Sequence, residues 1–331
     1  MENFDILDVV IVGGGPAGLS AGIFAMRAAM KTVLIERGLP GGQMAISKDI
    51  DNYPGFRETN GFDLTDRFLE HVKGYGLEII QREVLSIDPG EETHSILLEE
   101  GRTLTTRALI IATGGVARRL NIPGETENLG RGVSYCATCD GFFFKNKKVV
   151  VVGGGDNALE EALYLSKIAS RVYLIHRRSS FRANAMLQQQ VTAAKNIEVI
   201  LSTIVTGIDA GEEGVRAVRL RDIGEETEWN LETEGVFIFI GFSPLNQLVP
   251  HEVRKNRMGY VMTDEKCETN VPGIFVVGDL RQKYANQIVV AASDGCIAGL
   301  AAARHVELKK AGCREYYDTR NPETAVLMEC A

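Results

Sequence analysis

The chain has 331 residues, of which 45% are hydrophobic, and its 36 basic and 44 acidic side chains give a formal net charge of −8. This length predicts two domains, or two domains with a tail. Phosphate backbones require a basic surface, so the acidic balance argues against a nucleic-acid partner. No apolar run approaches ~18 residues, so we expect no membrane span, and Met1 to Asp8 is too short and too acidic for a signal peptide.

The cysteines do not resemble the disulfide framework of a small secreted protein, so we expect a cytoplasmic location. Of the six, one pair is separated by only two residues. The scattered members are Cys267 and Cys296, which we expect to be small buried residues, and Cys313 and Cys330.

The first motif is a strand, a glycine turn, a helix and a second strand. The apolar stretch from Asp8 to Val12 runs into Gly13-Gly14-Gly15-Pro16-Ala17-Gly18, and an alanine-rich helix is predicted from about Leu19 to Met30. The strand from Thr32 to Ile35 then ends at Glu36. This order is typical of a dinucleotide-binding unit, in which the helix N-terminus faces the pyrophosphate.

The residue type at each of these positions has a physical reason. Gly13 permits the tight turn, Gly15 lets the backbone approach a pyrophosphate, and Gly18 lets the helix pack closely on the strand. Glu36 lies 23 residues after the first glycine, where a carboxylate accepts hydrogen bonds from ribose hydroxyls. The alternative is an ordinary tight turn between a strand and a helix.

Two loop-like stretches follow, Gly41-Gly42-Gln43 and Asn52-Tyr53-Pro54-Gly55, which by themselves are compatible with plain surface loops. Residues 76–98 are predicted to be rich in β-structure. Leu104 to Ile111 is a further apolar strand, and it ends in Ala112-Thr113-Gly114.

The closely spaced cysteines are Cys136 and Cys139, and Asp140 follows at once. They have the composition of a dithiol/disulfide couple with a proton carrier. A thiolate is the form that attacks a disulfide, so such a pair needs a nearby group that moves protons. The spacing alone is also compatible with half of a zinc site, a structural disulfide or two small buried residues.

A second copy of the nucleotide-binding pattern begins with the strand from Lys148 to Val152. It continues through Gly153-Gly154-Gly155-Asp156-Asn157-Ala158, a helix predicted to run to about Ser170 and a strand from Val172 to Ile175. The third glycine is replaced by Ala158, which still allows close packing.

The ribose position of this second copy carries a basic cluster instead of an acid. His176-Arg177-Arg178 begins 23 residues after Gly153, and Arg182 follows. These guanidinium groups can clamp a ribose 2′-phosphate with charge-assisted hydrogen bonds, which indicates NADPH rather than NADH. The alternative is a solvated basic turn.

The second copy is nested inside the first. Gly235 to Gly241 closes it after a β-rich insert at 197–233, and the chain returns through an apolar strand from Thr269 to Asp279 and a helix from about Asn286 to Lys310. We therefore predict an α/β fold with two Rossmann-like three-layer nucleotide-binding domains. One comprises residues 1–116 and 246–331, with a tail from about 311, and the other comprises residues 117–245. The two linkers between them are a candidate hinge.

Together these motifs resemble the low-molecular-weight, bacterial-type thioredoxin reductases, a group of pyridine nucleotide-disulfide oxidoreductases. The resemblance covers nearly the whole chain and rests on the two glycine loops, the stretch Cys136 to Asp140, the basic cluster and the pair Gly278-Asp279. It implies FAD at the first site, in the discontinuous domain, and NADPH at the second, in the inserted domain that carries the cysteine pair.

The resemblance also implies sets of binding residues. Those for FAD are Gly13, Gly15, Pro16, Ala17, Glu36, Gly42, Gln43, Asn52, Val84, Ala112, Thr113, Gly114, Gly278, Asp279, Gln287 and Ile288. Those for NADPH are Gly153, Gly155, Asp156, Asn157, Ala158, His176, Arg177, Arg178, Arg182 and Gly241. No metal ion is expected.

The implied reaction is the NADPH-dependent reduction of oxidised thioredoxin through a flavin and a Cys136–Cys139 disulfide. Cys139 faces the flavin, Cys136 attacks the protein substrate and Asp140 gives and takes the proton. Enzymes of this kind alternate between two domain orientations and form homodimers.

Arg131, Phe142 and Phe143 are the implied docking residues for thioredoxin, although phenylalanines beside a strand more often belong to the core. The chain departs from the family pattern at Asn286, where members usually carry arginine. The tail from about residue 311 extends beyond the usual end, and we do not expect its two cysteines to be redox-active.

Two other hypotheses remain at this point. A flavin disulfide reductase of the same architecture could serve another thioredoxin-like partner or a peroxidase system. The non-enzyme alternative is a flavoprotein redox sensor.

Overall fold

The structure is a computed structural model that describes residues 6–47, 50–316 and 327–330. The chain folds into two compact units. Unit 1 comprises Met1–Ser47, Tyr53–Val116 and Pro244–Ala331, and unit 2 comprises Lys48–Asn52 and Ala117–Ser243. Unit 1 is therefore assembled from separate parts of the sequence.

The secondary-structure elements are numbered in chain order. The strands are β1 (Leu7–Val12), β2 (Thr32–Glu36), β3 (Glu78–Gln81), β4 (Val84–Asp88), β5 (His94–Leu98), β6 (Thr103–Ile111), β7 (Gly115–Ala117), β8 (Val133–Ser134), β9 (Lys148–Gly153), β10 (Arg171–Ile175), β11 (Ile197–Ile200), β12 (Thr203–Gly211), β13 (Gly214–Asp222), β14 (Glu228–Glu232), β15 (Gly235–Phe239), β16 (Phe242–Pro244), β17 (Ile274–Val276), β18 (Cys313–Tyr316) and β19 (Leu327–Cys330). The α-helices are α1 (Pro16–Arg27), α2 (Gly42–Ala45), α3 (Gly61–Gly74), α4 (Ala137–Asp140), α5 (Asp156–Ser166), α6 (Ala185–Ala193) and α7 (Ile288–Lys310), and 3₁₀ turns span Glu99–Gly101, Gly141–Phe144 and Gly278–Leu280.

A seven-stranded sheet lies at the centre of unit 1. Its order is β3-β2-β1-β6-β5-β4, and β17 also pairs with β6. Strands β1, β2, β3, β6 and β17 run parallel, whereas β5 and β4 are added antiparallel at one side. Every residue of β1 is buried, as expected for a parallel strand that is covered on both faces.

Helix α7 packs closely on α1 because small residues line the contact. A Cβ on Gly295 would lie 2.1 Å from the Ala17 carbonyl oxygen, and a Cβ on Gly299 would lie 2.8 Å from that of Ala21. The Ser20 hydroxyl donates a hydrogen bond to a carbonyl oxygen of α7 at 2.7 Å. Within the described residues, α7 is the one helix that is long and apolar enough to cross a membrane by length and composition. Here its buried residues belong to the same hydrophobic core as α1.

Unit 2 is built around a five-stranded parallel sheet in the order β11-β10-β9-β15-β8. One hydrophobic cluster joins this sheet to α5 and α6. A second cluster joins the sheet to the antiparallel strands β12, β13 and β14. The parallel sheet is therefore covered by helices on one side and by a small antiparallel sheet on the other.

Some element boundaries differ from the sequence prediction. Helix α1 begins at Pro16, earlier than predicted, because proline is favoured in the first turn of a helix, and it also ends earlier, at Arg27. Helix α5 ends at Ser166, before the predicted position. The strand expected over 269–279 is reduced to the three residues of β17, between Gly273 and Gly278, which both have positive φ.

Candidate active site

The first glycine loop connects β1 to α1, and two of its glycines are required by packing. Gly13 has φ +110°, and a Cβ there would lie 2.4 Å from the Ala112 carbonyl oxygen. A Cβ on Gly18 would lie 1.9 Å from the Gly13 carbonyl oxygen. Both positions therefore exclude any larger residue, which agrees with the reasons that the sequence pattern suggests for them.

Gly15 differs, because a Cβ there would have nothing within 4 Å. The protein itself does not require glycine at this position, and the open space lies at the start of α1, which no side chain caps. Uncapped N–H groups at a helix start beside an open glycine form a cradle for a phosphate group. The loop fits a dinucleotide on this observation.

Glu36 stabilises the same loop. Its carboxylate accepts hydrogen bonds from the backbone N–H groups of Gly14 at 2.7 Å and Gly38 at 2.9 Å. A carboxylate offers about four acceptor sites, so capacity remains for ribose hydroxyls. Gly42 also lies against the loop, since a Cβ on it would be 3.3 Å from the Gly15 Cα, and Gln43 follows in α2.

Further predicted FAD residues follow β6 and β17. Ala112 donates its N–H to the Val12 carbonyl, and the Thr113 hydroxyl donates to the Leu245 carbonyl at 2.7 Å, with Gly114 next in the chain. Gln287 is the N-cap residue of α7 and Ile288 is its first residue. The structure thus brings the ends of β1 and β6 and the start of α1 together.

A buried ion network, which the sequence analysis missed, holds the Gly278-Asp279 pair. Asp294, on α7, accepts the Gly278 N–H at 3.1 Å and the Arg281 guanidinium at 2.7 Å. The Lys283 ammonium lies 3.0 Å from Asp279 and 3.3 Å from Asp294. The Lys283 and Asp294 side chains are 6% and 5% exposed, so these charges are fixed by one another. The signal available in the sequence is Asp294 itself, an isolated carboxylate in the otherwise uncharged stretch 288–303.

Two predicted FAD residues belong to other elements of the fold. Val84 is buried at the start of β4 within the hydrophobic core, where it is paired with Leu98 of β5. Asn52 is an exposed residue assigned to unit 2. Their roles stay predictions.

The second glycine loop repeats the design of the first. A Cβ on Gly153 would lie 2.5 Å from both the Ala158 Cβ and the Phe239 carbonyl oxygen, so Gly153 is required by packing. Ala158 is fully buried, which confirms that alanine suffices at the third position. Gly155 again has nothing within 4 Å of a Cβ, and no side chain caps α5, which starts at Asp156 and Asn157.

The predicted basic cluster divides into a buried and an exposed part. The His176 ring lies beneath the glycine loop, where a Cβ on Gly154 would come within 2.2 Å of it, and it packs on Phe181 with ring centroids 5.5 Å apart. Burial lowers the pKa of His176, with a further contribution from the charges of Arg182 and Arg178. At neutral pH the imidazole is therefore uncharged, and it packs against the glycine loop at Gly154.

Arg177, Arg178 and Arg182 are exposed. Their guanidinium groups make no ion pair with the described part of the chain. They follow β10 close to the start of α5, because the Arg182 N–H donates to the Gly154 carbonyl at 2.8 Å. Three cations beside an uncapped glycine loop suit a nucleotide that carries an additional phosphate. Gly241 follows β15 with φ +124°, a conformation that favours glycine.

Cys136 and Cys139 form a disulfide in unit 2, with Cα atoms 5.3 Å apart. Strand β8 leads into the pair, and the short helix α4 carries Cys139 and Asp140. The Cys139 N–H donates to the Cys136 sulfur at 3.2 Å, and the Thr138 hydroxyl lies 3.5 Å from the same sulfur. These contacts are suited to stabilising negative charge on the Cys136 sulfur once the disulfide opens.

Ser134 is a site residue that the sequence analysis did not identify. Its buried hydroxyl lies 2.5 Å from the Asp140 Oδ2 and 3.1 Å from the Cys136 carbonyl oxygen, and it accepts the Cys136 N–H at 3.0 Å. A hydroxyl has one proton and cannot donate to both oxygens. If Asp140 is ionised, Ser134 donates to it; if Asp140 is protonated, Asp140 donates and Ser134 turns to the carbonyl. The network therefore accommodates both protonation states of Asp140.

The aromatic run after the disulfide also divides by exposure. Phe142 is 63% and Phe143 is 38% exposed, and their rings pack edge to face. Phe144 is buried against Phe237 and belongs to the core. Arg131 is exposed and donates from its guanidinium to the Glu212 carbonyl at 2.9 Å. Docking by Arg131, Phe142 and Phe143 stays a prediction.

The cysteines outside this site differ in burial. Cys267 is fully buried, as predicted, and burial raises the pKa of its thiol to about 11. Cys296 is only partly buried, and burial raises its pKa as well. Neither thiol is poised for nucleophilic attack at neutral pH.

Comparisons with known proteins agree with this geometry. Residues 7–295 match the family described as pyridine nucleotide-disulphide oxidoreductase. The chain belongs to this family. It is 42% identical over 309 residues to a thioredoxin reductase of Bacillus subtilis, covering 93% of this chain and 97% of that protein. A Helicobacter pylori thioredoxin reductase is 40% identical and is matched over 99% of its length.

The fold is shared as well. The crystal structure of thioredoxin reductase from Streptococcus pyogenes superposes with a TM-score of 0.89 at 37% identity, covering 91% of this chain and 98% of that one. This confirms the predicted α/β fold with two Rossmann-like nucleotide-binding domains. FAD and NADPH are the cofactors of such oxidoreductases, and the two open, uncapped glycine loops fit one dinucleotide each.

Proposed function

We infer that this oxidoreductase is an NADPH-dependent thioredoxin reductase. The observation that carries the inference is the Cys136–Cys139 disulfide, which shares a compact unit with a dinucleotide-binding loop. The Ser134 hydroxyl beside it accepts the Cys136 backbone N–H and lies 2.5 Å from the carboxylate of Asp140. A reducible disulfide with its own proton carrier matches the chemistry of transferring a dithiol to another protein disulfide. The identities of the relatives support thioredoxin as that protein.

We propose that unit 1 holds FAD and unit 2 holds NADPH. When bound, the two cofactors supply the two electrons of a hydride to the protein disulfide. The uncapped start of α1 and Glu36 would bind the FAD phosphates and ribose, and the uncapped start of α5 with Arg177 and Arg178 would bind the NADPH phosphates. The remaining residues of the predicted sets keep the roles given above.

The thiol chemistry of the chain balances in two exchanges. The Cys136 thiolate attacks one sulfur of the substrate disulfide, so a mixed disulfide forms and the other substrate sulfur leaves as a thiolate that takes up a proton. The Cys139 thiolate then attacks the Cys136 sulfur, which re-forms the Cys136–Cys139 disulfide and releases the second substrate thiol. Asp140 supplies and recovers a proton next to these sulfurs, and Ser134 holds its carboxyl group in place.

Three further features belong to the proposal. Thioredoxin docks at Arg131, Phe142 and Phe143, because two exposed aromatic rings beside the disulfide offer an apolar contact. The two units rotate about their linkers during turnover, and two copies of the chain form a homodimer. The enzyme acts in the cytoplasm, where dithiol reductants operate.

The direct test is turnover of the purified, flavin-loaded chain with NADPH, a panel of thioredoxins and an aromatic disulfide dye. We expect dye reduction that depends on thioredoxin. Cys136→Ser should abolish it while leaving reduction of the bound flavin by NADPH intact, and Cys296→Ser, a partly buried cysteine elsewhere, serves as the matched control. Flavin reduction without transfer to any thioredoxin, but with transfer to a peroxidase disulfide domain, would favour the alternative partner.

A further inference from the structure

The side chain of Lys283 is buried between two carboxylates of unit 1. It is 6% exposed, and its ammonium lies 3.0 Å from the Asp279 carboxylate and 3.3 Å from that of Asp294. Asp294 also has a cation of its own, because the Arg281 guanidinium lies 2.7 Å from its other oxygen. Lys283 is therefore the cation that balances the charge of Asp279.

Asp279 lies beside the first glycine loop. The preceding residue, Gly278, has φ +70°, and a Cβ on it would lie 3.1 Å from the Cβ of Ala17 in the first turn of α1. The uncapped start of that helix is the phosphate cradle described above. The Asp279 side chain is 26% exposed, and Lys283 engages its Oδ1. A carboxylate offers about four acceptor sites, so Asp279 retains the capacity to accept a hydrogen bond from a ligand in the cradle.

The charge of Asp279 matters at this place, because the cradle is suited to a phosphate. An unbalanced carboxylate would repel the negative charge of a pyrophosphate. Lys283 cancels that charge and leaves the carboxylate oxygens as hydrogen-bond acceptors. Such an oxygen accepts hydrogen bonds from hydroxyl groups. A phosphorylated polyol, such as the ribityl chain of FAD with its phosphate, carries both ligand groups that this arrangement suits.

We propose that Lys283 is a positioning residue for the flavin, which holds the Asp279 carboxylate in place to accept a hydroxyl of the ribityl chain. Asp294 fixes Lys283, and it also accepts the Gly278 N–H at 3.1 Å, which fixes the backbone that carries Asp279. The proposal rests on the proposed binding of FAD by unit 1. Its consequence is the retention of the flavin rather than the chemistry of the disulfide.

Lys283→Met removes the ammonium with little other disturbance. Methionine resembles the apolar stem of lysine and is compatible with a buried position. Asp294 keeps Arg281 and the Gly278 N–H as partners, whereas Asp294→Asn would leave two largely buried cations facing one carboxylate. Arg304→Met, which removes a cation from an exposed ion pair of α7, is the matched control.

The measurement is the dissociation constant of FAD. The flavin-loaded full chain is passed through an ultrafiltration membrane over a dilution series, and the FAD in each filtrate is quantified. We expect Lys283→Met and Asp279→Asn each to raise the dissociation constant about tenfold or more, because a charge-assisted contact is lost. Arg304→Met should retain FAD as the parent chain does. Retention of FAD by Lys283→Met at the level of the parent would overturn the proposal.

The double variant separates positioning from a merely structural role. If Lys283 acts through Asp279, Lys283→Met should cause no further loss of FAD in the Asp279→Asn background, so the two effects are not additive. Independent effects that multiply in the double variant would contradict the proposal. Lys283→Gln, whose amide is uncharged but still donates hydrogen bonds, carries the same expectation and replaces Lys283→Met if that variant does not fold.

The parent chain distinguishes this inference from the proposed function. A parent that binds no FAD would refute the proposed flavin site and the inference with it. A parent that binds FAD, together with independent effects of Lys283→Met and Asp279→Asn, would refute the positioning role of Lys283 alone.

Discussion

Replacing Ser134 by alanine removes one hydroxyl from the disulfide site and leaves both cysteines and the carboxylate in place. That hydroxyl lies 2.5 Å from Asp140 and is buried, so no solvent molecule readily takes its place. A hydrogen bond to a charged group contributes about 1.5–3 kcal/mol, which corresponds to a tenfold to ~150-fold change in rate if it is fully lost in the transition state. We expect the rate of dithiol transfer to thioredoxin to fall within this range.

The decisive measurement is the pH dependence of reoxidation of the reduced enzyme by thioredoxin in rapid mixing. Alanine removes a donor that stabilises the ionised carboxylate, so the profile of Ser134→Ala should move to higher pH while reduction by NADPH is unchanged. Ser166→Ala, which removes a partly buried hydroxyl of α5 that donates to the Leu163 carbonyl, is the matched control and should keep the original profile. A rate loss with an unshifted profile would show that Ser134 has only a structural role.

Two further predictions concern cofactor choice and pH stability. Arg177→Ala with Arg178→Ala should raise the Michaelis constant for NADPH about 30-fold, or ~2 kcal/mol, relative to NADH, because the charge-assisted bonds to a 2′-phosphate are lost. The control is Arg171→Ala, at an arginine that is paired with a glutamate, and it should leave the preference for NADPH over NADH unaltered. An unchanged preference in the double variant would refute the binding of the 2′-phosphate by Arg177 and Arg178. Burial, followed by the charge of a nearby lysine, lowers the pKa of His94 and of His305 from 6.5 to about 4. Between pH 6.5 and 4 the unfolded chain binds protons that the folded chain does not, so stability falls as the pH drops, by about 2 kcal/mol per histidine at pH 5. Urea unfolding at pH 5 and 7.5 measures this difference in the free energy of unfolding. The difference should be about 2 kcal/mol smaller in His94→Gln than in the parent chain. An equal pH dependence of the two proteins would contradict the prediction.

The glycine positions illustrate what could be predicted from the sequence. Gly13 and Gly18 leave no room for a side chain, so a local pattern of spacing identifies them. The family resemblance, confirmed by the comparisons, also assigned the disulfide pair, because close spacing in sequence nearly determines closeness in space. Such short-range features are readable without a structure.

Features that depend on tertiary contacts could not be read in this way. His176 belongs to a basic run in the sequence, yet its ring fills the space beneath Gly154 while its arginine neighbours stay exposed. Ser134 is one of many serines, and only its 2.5 Å approach to Asp140 shows its importance. The isolated carboxylate of Asp294 is visible in the sequence, but its partners Arg281 and Lys283 are shown only by the structure.

The close contact between α1 and α7 links a distant part of the sequence to the first glycine loop. Gly295 and Gly299 approach the α1 backbone so closely that a methyl group at either position would force the two helices apart. Helix α1 carries the predicted phosphate cradle at its N-terminus. A substitution on α7 that displaces α1 would therefore weaken nucleotide binding although every residue of the glycine loop is unchanged.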